Sequence, residues 1–349
     1  MSLYDAVENL PLAIESYELV VRSLDVSSGF TRKTTAIQLK GAEEEGLGED
    51  VTYDAAEHDA QLERGPTLEL AGDRTLDSFS RHLDSQPLFE NEPQMHAFLD
   101  YRRWGFESAA LDLALRQNGL SLGQAVGRAL EPVTYVVSMR LGQPPTLDRL
   151  QGWLELYPGL RFKLDATSDW TDELVSELRE LGCVDSIDFK GQYKGTPVDQ
   201  EPDAALYRRV VEGLPGVWLE DPALTDATRE VLEPHADLVT WDAVIHSVED
   251  IGGLPWPPRT VNVKPSRFGS VRRLFAAYDY CEEHGIGAYG GGQFELGVGR
   301  GHIQYLAALF HPQTPNDVAP GGFNMPEPVA GLPASPLTVT PRETGFLAL

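Results

Sequence analysis

Short apolar runs alternate with amphipathic stretches from about Pro132 onward, and this alternation is the main pattern of the chain. Compact apolar runs predict buried strands, whereas apolar residues at three- and four-residue spacing predict helices. The predicted strands are Thr134–Met139, Leu160–Leu164, Val184–Phe189, Val217–Leu219, Leu238–Trp241, Thr260–Val263 and Ile286–Tyr289. The helices predicted between them include Asp172–Leu181, Asp203–Leu214, Asp226–Leu232 and Val271–His284.

Repeated strand–helix units of this kind predict a parallel α/β sheet. Seven or eight units favour a sheet closed into a barrel. An open doubly wound sheet is the alternative, but the chain has no glycine-rich dinucleotide turn after the first of these strands. The pattern therefore predicts a barrel domain at 132–311.

The first third of the chain has a different pattern, with strands first and helices afterwards. Strands are predicted at Ala13–Leu24 and Thr34–Leu39, and a polar loop at Ser27–Arg32 separates them. Helices are predicted at Thr75–Leu83, Asn91–Asp100 and Glu107–Gln117. This order predicts a small α+β domain at 1–131. The tail 312–349 is rich in Pro and Gly, and we expect it to pack back onto that first domain.

The charge of the chain narrows its partners. Acidic side chains number 54 and basic ones 28, which gives a net charge of −26. Such a surface repels phosphate backbones, so we expect no nucleic-acid partner. No basic start with an apolar run opens the chain, and no apolar stretch of about 18 residues follows. We therefore expect a cytoplasmic protein without a membrane partner. We also expect a homo-oligomer.

Charged residues end or closely follow six of the apolar runs. In barrels of this kind the active site forms at the carboxyl ends of the strands. Any one of these residues can be explained as a helix cap or a solvent-facing side chain. All six in order favour a shared site. The residues are Lys163, Asp188, Glu220, Asp242, Lys264 and Glu295.

Three of the six are carboxylates on consecutive strands, and like charges in one pocket raise one another's pKa. A divalent hard cation with oxygen ligands resolves this conflict, and Mg²⁺ is the obvious candidate. No Cys or His cluster offers a zinc site. A lysine beside such a cation can act as a base near neutral pH. A metal beside a lysine base is suited to removing a proton α to a carboxylate.

Several motifs in order resemble those of the enolase superfamily, in its muconate cycloisomerase-like branch, which includes o-succinylbenzoate synthases and dipeptide epimerases. The resemblance covers about residues 14–325. It predicts a modified TIM barrel of the (β/α)7β type with an N-terminal α+β capping domain. The motifs are TTAIQLKGAEEEGLGE at 34–49, ESAALDLALRQNGLSLGQAVG at 107–127, Glu220-Asp221-Pro222, Asn262-Val263-Lys264-Pro265 and Phe294-Glu295-x-Gly297.

The resemblance implies an isomerase or lyase that acts on a small carboxylate substrate. With Mg²⁺, such an enzyme abstracts the α-proton to give a metal-stabilised enolate, and isomerisation, elimination or racemisation follows. By the same resemblance, Mg²⁺ would be held by Asp188, Glu220 and Asp242. Lys163 and Lys264 would stand on opposite faces of the substrate as acid and base.

The resemblance also implies substrate contacts outside the metal cluster. Glu295 would lie near the substrate carboxylate or at the barrel mouth. The loop around Gly29–Lys33 would close over the substrate. Its Phe30 would then contact an apolar group, and its Arg32 a carboxylate.

The second predicted barrel strand departs from the family pattern, which usually reads Lys-x-Lys. The segment reads Arg161-Phe162-Lys163-Leu164-Asp165, so two registers are open. In one, Lys163 is the acid–base lysine and Arg161 replaces the first lysine. In the other, Asp165 has replaced the acid–base lysine. The gap to Asp188 is 25 residues from Lys163 and 23 residues from Asp165. The longer gap is closer to that of relatives, so it favours the first register.

Two further departures concern the neighbours of the metal candidates. Lys190 follows Asp188 by two, where asparagine is common, and strand alternation places it on the same face. We therefore expect Lys190 to be an additional cation in the pocket. Ala243 follows Asp242, where many relatives carry glutamate.

Other functions remain as alternatives. The substitutions on the second strand are compatible with a catalytically altered or silent member that binds a carboxylate ligand. A metal-independent barrel glycosidase would use two carboxylates, but two lysines at its site would be unusual. Lys264 stands where the mandelate racemase-like branch carries a histidine, which disfavours that branch.

Overall fold

The computed structural model describes residues 2–26, 30–196 and 198–347. Its strands are β1 Pro11–Ile14, β2 Ser16–Asp25, β3 Thr31–Gly41, β4 Glu44–Asp50, β5 Gly72–Thr75, β6 Val137–Arg140, β7 Phe162–Asp165, β8 Val184–Asp188, β9 Trp218–Glu220, β10 Val239–Thr240, β11 Thr260–Val263 and β12 Gly287–Gly290. Its helices are α1 Ala55–Arg64, α2 Leu76–Leu83, α3 Ala97–Gln117, α4 Leu122–Val126, α5 Asp148–Leu156, α6 Asp172–Leu181, α7 Ala204–Gly213, α8 Asp226–Leu232, α9 Val248–Gly252, α10 Pro265–Phe268, α11 Val271–His284 and α12 Val298–Phe310. Short 3-10 helices occupy Tyr4–Ala6, Glu233–Leu238 and Gly321–Asn324. Within the described ranges, no helix has the length and apolar character that a membrane span requires.

The N-terminal part is a small α+β unit, as the pattern predicts. Strands β2, β3 and β4 form an antiparallel sheet, and β1 pairs with β5. Helix α3 crosses β4 closely, because Gly46 and Gly48 carry no Cβ there. A Cβ on Gly48 would come within 1.9 Å of the Gly105 carbonyl oxygen. The Gly-x-Gly-Glu segment at 46–49 lies inside β4.

One helix replaces two of those predicted in this part. No helix begins at Asn91; α3 starts at Ala97 and continues unbroken through the segment predicted as Glu107–Gln117. Pro93 lies in the part that stays irregular, and proline removes a backbone donor. Most of the residues of α3 from Phe98 to Leu115 are buried, so this helix is the core of the unit.

The second part is a closed parallel barrel, which confirms the predicted (β/α)7β fold. Strands β6 to β10 are consecutive neighbours in one sheet, and β11 pairs with β12. A bridge between Trp241 and Val261 joins these two groups of strands. Asn316 bridges Tyr135 just before β6, and Asp317 bridges Gly291 just after β12, so residues 316–317 close the barrel.

The predicted barrel elements agree closely with the observed ones. Helices α6, α8 and α11 have the predicted bounds, and β11 does as well. The pairing register aligns Asp165 with Asp188, and Asp188 with Glu220. Because these strands are parallel, this register brings their carboxyl-end side chains to one level.

The C-terminal tail runs back along both parts of the chain. Leu337 bridges Val133, and Gly345 bridges Ser121 beside α4. The backbone N–H of Phe346 donates to the Asp112 carboxylate of α3 at 2.7 Å. The tail therefore contacts both parts of the chain, and its residues 316–317 belong to the barrel. The division at 131/132, with the tail 312–349 contributing to the capping domain, stays a prediction.

A carboxylate of the capping domain caps a barrel helix. Glu49 of β4 is 1% exposed and accepts hydrogen bonds from the backbone N–H groups of Leu296, Gly297 and Gly299. These donors surround the start of α12, where unpaired N–H groups and the helix dipole favour a negative charge. Glu49 thereby joins the capping domain to the loop that follows β12.

Two buried histidines of the barrel make stability sensitive to acid. The His302 ring stacks on Phe346, and among the described residues neither of its nitrogens has a hydrogen-bond partner. Burial lowers the pKa of His302 to about 3 and that of His311 to about 4. Unfolding restores an ordinary value near 6.5, so the unfolded chain binds more protons as the pH falls below 6.5.

We therefore expect the free energy of unfolding to fall between pH 7 and pH 5, by about 2 kcal/mol from His302 alone. His302→Phe retains the stacking and should reduce that loss by about the same amount. Denaturant unfolding at pH 7 and pH 5 measures the free energy of unfolding of each variant. The matched control is His96→Phe at an exposed position. An equal loss in wild type and His302→Phe would contradict the assignment.

Candidate active site

Three carboxylates meet at the carboxyl ends of neighbouring barrel strands. Asp188 ends β8, Glu220 ends β9, and Asp242 lies two residues after β10. All three are fully buried, and one oxygen from each lies within 4.8 Å of the others. The structure thus brings together the three residues that the sequence assigns to a metal. We call them the acidic triad.

Four cationic side chains surround the acidic triad. The Lys163 ammonium contacts Glu220 and lies 3.4 Å from Asp188. The Lys190 ammonium contacts Asp188. On the opposite side, the Asp242 carboxylate forms ion pairs with the Lys264 ammonium at 2.8 Å and with the Arg267 guanidinium at 2.5 Å. Buried charges are tolerated only when paired, and these cations provide the pairing in the protein alone.

The pKa directions follow these contacts. Burial raises the pKa of Asp188, but the ammonium groups of Lys190 and Lys163 outweigh burial and bring it to about 2. Arg267 and Lys264 likewise hold the pKa of Asp242 well below its usual range, against the effect of burial. Burial and the charges of Asp188, Asp242 and Asp221 raise the pKa of Glu220, although the Lys163 ammonium opposes this effect.

The donor set of the acidic triad fits Mg²⁺. Carboxylate oxygens are the ligands that hard divalent cations prefer, and no softer ligand is in the cluster. Nearby polar atoms are also left without partners in the described part of the chain. They are both amide atoms of Asn262 and the hydroxyl of Ser186. Because buried polar groups normally form hydrogen bonds, these atoms indicate a place for a polar ligand or water.

Lys264 lies at the end of β11, where Pro265 starts α10 directly after it. Its side chain is about 7% exposed. Burial lowers the pKa of Lys264, and the Arg267 charge adds to this effect while Asp242 opposes it. A Cβ on Gly291 would come within 2.6 Å of the Lys264 side chain. The glycine after β12 therefore leaves the space that Lys264 occupies.

Lys163 lies deep in the barrel, among the acidic groups. It is the second residue of β7, is 2% exposed, and points among Glu220, Asp188 and Asp317. In this position its ammonium compensates the charge of two metal-ligand candidates. The acid–base role of Lys163 stays a prediction.

Asp221 was part of a sequence motif without an assigned role. Its carboxylate accepts hydrogen bonds from the N–H groups of Asp242 and Ala243, both at 2.8 Å. Burial, with the nearby charges of Asp242 and Asp188, raises its pKa to about 7. Asp221 thus holds the turn that presents Asp242.

Three further site residues were missed by sequence reasoning. Arg267 contacts Asp242, Tyr193 donates from its hydroxyl to Asp242 at 2.8 Å, and the Tyr289 hydroxyl donates to Glu220. For two of them, the sequence position could have indicated a place in the site. Tyr289 falls in a predicted strand, and Arg267 follows Lys264 by one helical turn.

Arg161 requires a correction. It precedes β7 and lies at the amino end of that strand, where its guanidinium pairs with Asp185 and the Gly182 carbonyl. The acidic triad lies at the carboxyl ends of the strands, so the length of β7 separates Arg161 from it. Substrate contact, predicted for Arg161, does not fit this position.

Arg32 also differs from its predicted role. It lies in β3 rather than in a loop, and it is fully buried. Its guanidinium donates to the carbonyl oxygens of Val51, Thr52 and Gln293. These bonds join the capping domain to the barrel. Arg32 therefore has a structural contact where substrate contact was expected.

Phe30 and Glu295 lie near the barrel mouth. The Phe30 ring is 39% exposed and packs edge-on against Phe294, with 6.0 Å between ring centroids. The Glu295 carboxylate accepts from the Gln293 N–H at 2.6 Å and pairs with Arg300 at 3.1 Å. Their substrate contacts stay predictions. Of the expected loop around Gly29–Lys33, Gly29 lies outside the described residues.

Comparisons with known proteins agree with the fold. A model described as "Domain of unknown function (DUF8230) C-terminal domain" matches residues 129–325, and one described as the DUF8230 N-terminal domain matches residues 5–125. The solved structure of a dipeptide epimerase from Methylococcus capsulatus, complexed with Mg ion, has a TM-score of 0.68 and 19% identity. That alignment covers 97% of this chain and 99% of the epimerase chain.

The alignments with curated relatives cover less of this chain. An o-succinylbenzoate synthase from Geobacillus stearothermophilus is 28% identical over 61% of this chain, and the match spans 57% of that protein's length. An N-succinylamino acid racemase from Thermus thermophilus is 27% identical, over 88% of this chain and 86% of the racemase.

Proposed function

Because the chain belongs to the DUF8230 family and has the fold of the enolase superfamily, we propose that it is a Mg²⁺-dependent enzyme that abstracts the α-proton of a small carboxylate substrate. The observation that carries this proposal is the acidic triad, with Lys264 beside it. Isomerisation, elimination or racemisation follows the abstraction, which makes the enzyme an isomerase or lyase.

The residues of the chain divide this work. Asp188, Glu220 and Asp242 would hold Mg²⁺, which when bound would supply positive charge to stabilise the developing enolate. Lys264 exchanges a proton with the α-carbon from the β11 side. Asp221 and Arg267 fix Asp242 in its turn. Tyr289 fixes Glu220 through its hydroxyl.

The names of the relatives support one substrate class as a proposal. An o-succinylbenzoate synthase and N-succinylamino acid racemases are among them, and both names contain a succinyl group. We therefore propose succinyl-bearing carboxylates as the first compounds to test. A cytoplasmic location and a homo-oligomeric state stay predictions.

Mg²⁺ should stabilise the protein against heat. A ligand that binds the folded chain alone, at 100 times its Kd, adds about 2.7 kcal/mol to the free energy of unfolding. Calorimetry with Mg²⁺ and with EDTA measures the shift in Tm. Deuterium exchange of the α-proton of N-succinylphenylalanine, followed by NMR, should depend on the same metal.

The two measurements separate the alternatives. Mg²⁺ binding without exchange on any carboxylate that binds would favour a silent member. Stability and activity that ignore both Mg²⁺ and EDTA would contradict the proposal and return the metal-independent glycosidase to consideration.

A further inference from the structure

Lys190 has an unusual backbone conformation beside the acidic triad. Its φ is +53°, in the left-handed region that residues with a Cβ rarely occupy. Such conformations are unfavourable, persist where surrounding contacts hold them, and cluster at functional sites. Here the turn brings the ammonium back over the strand ends, where it contacts Asp188 and lies 3.5 Å from Asp165. The ring of Tyr193 lies 4.9 Å from the same ammonium.

Asp165 occupies the end of β7, at the level of Asp188. One of its oxygens, Oδ1, has no hydrogen-bond partner among the described residues, and this is the oxygen nearest Lys190. The other approaches Arg140 at 3.8 Å. A carboxylate with spare acceptor capacity therefore faces the Lys190 ammonium at the mouth side of the cluster.

Exposure separates this pair from Lys163. The side chains of Lys190 and Asp165 are 14% and 17% exposed, whereas that of Lys163 is 2% exposed. Lys163 is also two residues deeper in β7 than Asp165. On this side of the acidic triad, Lys190 is the lysine with access to a ligand that enters from the mouth.

Lys264 lies across the barrel from this pair. The barrel has seven named strands and the closing segment 316–317, and β7 and β11 are four strands apart in either direction. Asp165, which ends β7, therefore faces Lys264 across the mouth, and the Lys190 ammonium, which follows β8, lies beside Asp165.

We propose that Lys190, positioned by Asp165, is the substrate-contacting cation on the β7 side, opposite Lys264, and that Lys163 acts only on the charges of Glu220 and Asp188. The inference rests on the proposed function, because it names a second contact to the same carboxylate substrate. A metal at the acidic triad competes with Lys190 for Asp188. Asp165 then remains as the protein anion that holds the ammonium toward the substrate.

The test compares Lys190→Met with wild type in two binding titrations by calorimetry. Lys190→Met should bind Mg²⁺ more tightly than wild type, because the competing ammonium is gone. With saturating Mg²⁺, it should bind o-succinylbenzoate about 10- to 100-fold more weakly, the range for losing a charged hydrogen bond. Lys190→Arg should lose much less affinity for o-succinylbenzoate, since it keeps the positive charge. Asp165→Asn should weaken binding by an intermediate factor.

Lys194→Met is the matched control, because Lys194 is 58% exposed and pairs with Asp199. It should bind both Mg²⁺ and o-succinylbenzoate as wild type does. Lys190→Met that binds o-succinylbenzoate as tightly as wild type would overturn the inference while leaving the proposed function intact. Weaker Mg²⁺ binding by Lys190→Met would also overturn it, since that is the result of a purely structural role. A wild type that binds no Mg²⁺ would overturn the proposed function, and this inference with it.

Discussion

Replacement of Glu220 by glutamine is expected to abolish Mg²⁺-dependent proton exchange and to weaken Mg²⁺ binding by at least about 100-fold, since even changes outside the ligand shell cost 10- to 100-fold. Glu220 is the middle member of the acidic triad and is fully buried. Glutamine retains its shape and its capacity to accept from Tyr289, but it removes the negative charge that a divalent cation requires.

Glu180→Gln provides the control for this variant. Glu180 is exposed near the end of α6, so its replacement removes the same charge far from the cluster. Calorimetric Mg²⁺ titration and circular dichroism of both variants separate loss of the ligand from loss of the fold. A folded Glu220→Gln variant with wild-type Mg²⁺ affinity would show that the metal is held elsewhere.

Lys264→Ala is expected to reduce α-proton exchange by about 10²- to 10⁴-fold, the usual contribution of a positioned acid–base group. Mg²⁺ affinity should stay within a few-fold of wild type or rise. The physical reason is that Lys264 pairs with Asp242 at 2.8 Å and so competes with a metal for that carboxylate. Exchange is measured by NMR in deuterated solvent, and metal affinity by calorimetry.

Two further variants make the Lys264 result specific. Lys264→Arg keeps the charge but has a different shape and cannot act as a base near neutral pH, so it should remain as slow as Lys264→Ala. Lys194→Ala removes a lysine from an exposed position and should leave exchange unchanged. If Lys264→Ala loses Mg²⁺ binding instead, Lys264 supports the metal site and is not the acid–base group.

The barrel and the acidic triad were predictable because both depend on local patterns. Strand and helix periodicity gave the β/α order, and parallel strands then require that residues at their carboxyl ends meet. Asp188, Glu220 and Asp242 each follow a short apolar run, so their meeting followed from topology alone.

The register of β7 was harder to predict from the sequence, because strand alternation has a period of two. Lys163 and Asp165 lie on the same face, so a shift of two residues changes depth without changing direction. Sequence distance to Asp188 favoured Lys163 as the acid–base residue. The depth of Lys163 and Asp165 depends on where β7 starts relative to β8, and that is set by pairing along the sheet.

Contacts between distant segments were not predictable. Arg32 is buried because carbonyl groups more than 260 residues away come beside it, as the bond to Gln293 shows. Its charge and its loop-like neighbours suggested exposure. Arg161 was misplaced for a simpler reason, since a residue just before a strand lies at the end of the barrel opposite the site.

The bond pattern of Glu49 limits how the two domains can be recombined. Glu49 belongs to the capping domain, yet its acceptors satisfy the N–H groups that open α12 of the barrel. A chimera that takes its capping domain from a relative without an acidic residue there would leave those donors buried and unsatisfied. Residue 49 and the 296–299 segment must therefore be inherited together, and a domain exchange should move both or neither.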